Sequence, residues 1–263
     1  MRAHAERGRE KRHRYIRNGV GDVKPQPAPD TSGVAGVAPK DRAGALDTIA
    51  LGPGGTMPSP AENLRALLSQ AQPSLPNIAE AFEALSPEDR VAATRGLNRA
   101  DQRRLFELAG TGAPATLDDL APASAGPRRA VIHHGTNTLP LPASQRAFQK
   151  RFARPDDGSA RLFGYNEAPT RWLIGPGYFV THATDGEAAW TPRGAIVVNY
   201  FLIPDGPVPE GWPPVIPNTQ GLQWFVYNKT RDFMRRVSDH LTIGAAYKEE
   251  KALDHYFTLV RED

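Results

Sequence analysis

Histidines are the first residues to question for chemistry. Five lie beyond residue 130: His133, His134, His182, His240 and His255. None forms an i,i+4 helical pair or a His-x-His pair, the spacings that bind zinc through one element. The chain has no Cys, which excludes a thiolate nucleophile, a thiolate zinc site and a disulfide framework. No Ser sits in a Gly-x-Ser-x-Gly context, and "GPGG" at 52–55 lacks the Lys-Ser/Thr of a phosphate loop. The richest polar and aromatic stretch is "RLFGYNEAPTRWLIGPGYFVTHATDG", residues 161–186. Tyr165, Trp172, Tyr178 and His182 could form the wall of a pocket, with Asn166 and Glu167 as a polar rim. Arg235, near Asp239, is a candidate for holding a carboxylate or phosphate. No metal site is expected.

A second reading joins "HHGTN" (133–137) to "GPGYF" (175–179). A strand ending His-Gly-Thr and a later Gly-x-Gly-Tyr-Phe strand resemble the NAD-gripping part of ADP-ribosyltransferases. That resemblance implies His134 against the nicotinamide-side ribose, Tyr178 stacked on the nicotinamide, and NAD as cofactor. It also calls for a glutamate opening a late strand. The late acids Glu249, Glu250 and Glu262 do not open one. Without that chemistry no cofactor is implied.

The elements that would position these residues begin well into the chain. The sequence has 263 residues, with 25 Pro and 24 Gly. Residues 1–60 carry Pro, Gly, Ala and charge without periodicity, which predicts a disordered tail. Residues 1–20 hold seven Arg/Lys against two Glu, so a net charge of +3 becomes −2 for the rest. The basic pI thus describes a tail, whose bond to nucleic acid would be weak and charge-driven.

Residues 61–110 repeat apolar positions at helical spacing, with Ser86 and Asn98 as N-caps and Pro87 at a first helical position. These short helices are expected to dock on the next domain, or on a protein partner. Residues 111–128 read as a linker. From 129 the pattern is strand-like. "GYFVTHA" alternates, placing Tyr178, Val180 and His182 on one face. "GAIVVNYFLIP" is apolar on both faces, so it should be covered on both. "LTIGAAY" and "YFTLVRE" close the chain, joined through "KEEKALDH". "PASQRAFQKRFARP" and "NKTRDFMRRVSD" are expected to be amphipathic helices, the first with a basic face that includes Lys150.

The closing segment "FVYNKTRDFMRRVSDHLTIGAAYKEEKALDHYFTLVRED" resembles that of small lipocalin-like, calycin-type barrel proteins. The matching positions are Asp232, Arg235, Arg236, Ile243, Gly244, Phe257, Leu259, Arg261 and Glu262. The Gly-x-Trp-x-Gly opening block of such barrels is absent. The "GYNE" and "W-x-x-GPGYFV" blocks resemble a bacterial family of unassigned activity. Together these readings predict an α+β protein whose residues 129–263 form a curved antiparallel sheet or barrel. The resemblance implies a cavity for a small apolar or aromatic ligand. NAD-dependent ADP-ribosyl transfer is the enzymatic alternative, and a non-catalytic interaction module the third. No apolar run reaches the length of a membrane span, so a cytoplasmic protein without a membrane partner is expected.

Overall fold

In the computed structural model, residues 58–262 are described. The expected disordered tail lies, up to residue 57, outside the described residues. The first four elements are helices: α1 (Pro60–Ser69), α2 (Leu75–Glu83), α3 (Pro87–Arg95) and α4 (Arg99–Ala109). Their starts follow from local chemistry. Ser59, Ser74, Ser86 and Asn98 each accept a backbone N–H three residues on. Such side chains satisfy amide donors that have no partner within the helix. In α1 and α4 the bond is reciprocated, by Glu62 and Asp101.

Eight antiparallel strands then close into a barrel in simple chain order. They are β1 (Val131–Asn137), β2 (Ala147–Ala153), β3 (Arg161–Glu167), β4 (Phe179–Ala183), β5 (Ile196–Asn199), β6 (Thr230–Arg236), β7 (Leu241–Lys248) and β8 (Lys251–Arg261). Closure comes from β1 pairing with β8, with Gly135 opposite Leu259. No edge remains to recruit another strand. The expected α+β barrel is thus the fold observed.

Alternation separates two sides of the wall. Phe152, Leu162, Phe179, Ile196, Val198, Tyr200, Met234, Phe257 and Leu259 form the inner cluster. Leu241, Ile243, Ala245 and Val260 face outward and join Leu64, Leu68, Ile78, Phe82, Leu105 and Phe106 of the helices. The apolar faces of α1 to α4 are therefore spent on the barrel, which answers the expectation that they dock. As predicted, β5 is covered on both faces, and all four of its residues are buried.

Three elements depart from the sequence reading. The stretch 142–155, expected to be helical, contains β2, and the stretch 228–239 contains β6. Phe148 and Phe152 are four apart, which puts them on one face of either a helix or a strand. Pairing with β1 and β3 decides for the strand, and packing overrides local propensity. The "KEEKALDH" connection shrinks to Glu249 and Glu250, both at positive φ, the geometry of a tight hairpin turn.

The expected linker 111–128 plugs one end of the barrel. Its short helix α5 (Leu117–Leu120) sends Leu120 into the inner cluster with Ala115 and Ala121. His133 bonds the Leu120 carbonyl through Nε2 at 2.8 Å, and Arg236 pairs with Asp119 at 2.9 Å. The opposite end carries the β1–β2, β3–β4, β5–β6 and β7–β8 connections. Two short helices lie there, α6 (Arg171–Ile174) and α7 (Gln223–Val226).

Candidate functional site

Seven residues were the pocket candidates, and the structure brings only one of them into the barrel. Asn166 points inward on β3. Tyr165 and Tyr178 point outward, against each other and against Trp212, with ring centroids 5.5, 5.0 and 6.3 Å apart. Their burial comes from the long β5–β6 connection, which drapes over the outside of β3 and β4. Tyr178 donates its hydroxyl to the Pro213 carbonyl at 2.5 Å. Burial there pushes its phenol above the ordinary value.

Glu167 accepts from Tyr165 at 3.1 Å and from Arg171 at 2.8 Å. Trp172, on α6, stands on the surface, 83% exposed. His182 lies on the outer surface in an open groove with Ser159, Arg161, Val180, Leu202 and Asp205. Arg235 is on β6 rather than a helix, and also faces out. Its guanidinium donates to the carbonyls of Phe106, Pro192 and Arg193 at 2.8, 2.8 and 3.2 Å. It ties α4 to the barrel.

The ADP-ribosyltransferase pair is not assembled either. His134 faces outward on β1 and meets Glu262 at 3.2 Å. Tyr178 immediately precedes β4, with β2 and β3 between the two, so both residues point away from the barrel in diverging directions. The residues present do not form the NAD grip that the motif implies.

What the interior does hold was legible only in part. Lys150, on β2, is 2% exposed and points inward between Phe148 and Phe152 of the same strand face. Its ammonium donates to Asn166 Oδ1 at 2.9 Å, to Asp232 Oδ2 at 3.2 Å and to the Tyr200 hydroxyl. Asn166 Nδ2 donates to the Gly177 carbonyl at 3.0 Å and to the Tyr200 oxygen at 3.1 Å. Four rings surround the ammonium: Phe257, Tyr200, Phe179 and Phe148, at 4.9, 5.0, 5.1 and 5.7 Å from their centroids. A cation over aromatic faces is favoured most where water is excluded.

Burial dominates the electrostatics. It pushes the Lys150 amine down, opposed by Asp232, and pushes the Asp232 carboxyl up, opposed by Lys150. The Tyr200 phenol is raised well above its usual value by burial and by the nearby Asp232. The cluster can therefore hold or exchange protons among an amine, a phenol and a carboxyl, and can neutralise an anion placed beside Lys150.

Tyr227, just after α7, closes the loop-bearing side. Its ring stacks on Tyr200 at 5.3 Å with 15° between planes. Gly177, at positive φ, is required where this cover forms: a Cβ there would run into the Tyr227 ring. Gln223 of α7 accepts from the Gly177 amide at 3.2 Å and donates to the Pro217 carbonyl at 2.8 Å.

Elsewhere inside the wall, His133 Nδ1, Thr181 Oγ1 and Thr242 Oγ1 are buried without a hydrogen-bond partner. Each is on the inward register of its strand. Among the described residues, no group of three or more His, Asp or Glu is placed to hold a metal. No described helix is long and apolar enough to cross a membrane. Comparison with protein-family models, with curated proteins and with solved structures finds no match for this chain.

The signal for Lys150 was present in the sequence. "FQKRF" puts a lysine between two phenylalanines at period two, which on a strand is one inward face. Read at helical period, the same lysine falls on a solvated basic face. Asp232 hides in the same way inside a segment read as a helix.

Proposed function

We propose that the barrel binds one small, planar, mostly apolar or aromatic molecule with an anionic or hydrogen-bond-accepting group. The acceptor group sits beside Lys150, Tyr200 and Asn166, and the planar part lies on the Tyr200 ring. The carrying observation is a lysine sealed in an aromatic cage at the loop-bearing end, beneath a single stacked ring. Tyr227 then occupies the seat of the ligand's ring, and entry requires α7 to swing out with it. Eight-stranded barrels are wide enough either to be filled by side chains or to hold one small ligand. Here Phe148, Phe179 and Phe257 fill most of the section, which restricts the ligand to about the size of the displaced ring and its substituents.

The test uses salicylate, a single-ring fluorescent aromatic anion, as probe on the full chain. The expected result is saturable one-to-one binding that small aromatic carboxylates displace. Replacing Lys150→Met together with Asp232→Leu weakens it at least about tenfold, the scale of one lost charge-assisted contact. Probe binding that the double variant leaves unchanged overturns the assignment.

A further inference from the structure

The described residues with large exposed apolar side chains fall on a few chain segments. They are Leu139, Leu141, Trp172, Leu173, Phe201, Leu202, Leu222, Trp224, Phe225, Val226 and Leu253. All belong to the connections, or the first turns of strand, that leave the loop-bearing end of the barrel. The helices and the α5 plug on the remainder of the protein add none. The densest part is a patch on α6 and α7. Trp172 is 83% exposed and Phe225 67%, with Leu173, Leu222, Trp224 and Val226 beside them. The two helices adjoin, because Gln223 fills the space a side chain at Gly175 would need. Exposed apolar side chains grouped this way mark an interaction surface.

Charge around the patch selects the occupant. The β7–β8 hairpin abuts α7, where Lys248 donates to the Phe225 carbonyl at 3.1 Å. Both hairpin carboxylates are already neutralised. Glu249 pairs with Lys229 at 2.5 Å, and Glu250 pairs with Arg193 at 2.6 Å and with Arg231. On α6, Arg171 and Glu167 cancel. Lys248 and Lys251 form no ion pair among the described residues but, with Lys229, share the single carboxylate Glu249, so this flank of the patch has an excess of positive charge. A second copy of this chain would bring the same lysines against themselves. Two exposed tryptophans, a phenylalanine and aliphatic side chains with lysines on one flank match instead the boundary of a bilayer with anionic headgroups.

We propose that the α6–α7 end of the barrel docks on the surface of an anionic membrane, inserting Trp172, Trp224 and Phe225 to headgroup depth. The expectation of no membrane partner rested on the lack of a spanning segment, and peripheral contact needs none. The two proposals share α7, which carries Trp224 and Phe225, but the vesicle readout does not use Lys150, so either can fail without the other.

The full chain is sedimented with vesicles of phosphatidylcholine alone or mixed with phosphatidylserine. Tryptophan quenching by brominated lipid is read alongside. The account expects binding to the mixed vesicles and quenching that falls sharply in Trp172→Phe/Trp224→Phe, which retains Trp190 and Trp212. Trp224→Ser/Phe225→Ser weakens binding at least about tenfold, the scale of two lost aromatic burials. Lys248→Glu/Lys251→Glu removes the preference for phosphatidylserine. Three results overturn the proposal. One is no vesicle binding by the folded wild type. Another is binding that the patch variants leave intact, which assigns it to residues 1–20 alone. The third is a dimer in solution that Trp224→Ser/Phe225→Ser dissociates, which makes a second copy the occupant.

Discussion

Removing the charge of Lys150 tests the interior cluster on its own terms. In Lys150→Met a chain of similar length fills the aromatic cage, but the Asp232 carboxylate, also buried, keeps only the Tyr200 hydroxyl, 3.4 Å away. Breaking a buried pair from one side costs about 3–5 kcal/mol, because the partner's charge is left uncompensated. The cost has a definite pH dependence. Burial raises the Asp232 carboxyl and Lys150 opposes that rise, so the variant raises it further. A carboxyl with a raised folded pKa keeps its proton in the native state where the unfolded chain has lost it. Stability then falls as pH climbs through that window. The deficit against wild type should be near its full size at pH 8 and clearly smaller at pH 5. Chemical denaturation at the two pH values, with Asp232→Leu and the double variant, closes the cycle. Lys150→Met/Asp232→Leu has no charge to bury and should recover most of the loss. A deficit below about 1 kcal/mol, or one equal at both pH values, would mean that Asp232 is not left charged and unpaired.

Three further outcomes follow from the same packing. His133 is held neutral, its pKa pushed down by burial to about 3. The unfolded chain takes up that proton first, so stability should fall as pH drops from about 6.5 toward 3, by up to about 1.4 kcal/mol per pH unit; His133→Leu should flatten the acid limb of a denaturation-versus-pH series. Gly244→Ala drives a methyl into the Phe257 ring and to 2.8 Å from the Met234 sulfur, and should cost about 1–3 kcal/mol in urea unfolding. Phe82→Ala should cost about 3–5 kcal/mol, and because Phe82 shares a cluster with Ile243 and Val260, helical and barrel signals should fall in one transition.

The fold was more readable than the site. Caps at Ser86 and Asn98 and the leucine spacing of 61–110 specify helices by local chemistry, and helices formed there. The faces of "LTIGAAY" were also legible. The larger apolar face of β7 takes the helices, and Gly244 turns inward beneath Phe257. Barrel closure was not legible residue by residue, since Gly135 meets Leu259 only once seven other strands are in place.

The aromatic stretch 161–186 misled for a physical reason. Tyr165 and Tyr178 are apolar enough for an interior, but a chain excursion from 200 to 229 gives them a second, external core. Alternation says which residues share a face, not which face is inside. Asn166 and Tyr165 are neighbours in sequence on opposite sides of the wall. Lys150 and Asp232 are 82 residues apart, and no spacing rule joins them.

The proposed ligand meets Lys150 inside the barrel. The chain has seven lysines, so the isotope-labelled Nζ resonances are few enough to resolve, and the one lost in Lys150→Met assigns itself. On titration with salicylate, the Lys150 signal should shift saturably with the fluorescence while Lys229, Lys248 and Lys251 move little. A Lys150 signal that stays fixed while bound probe accumulates would contradict it.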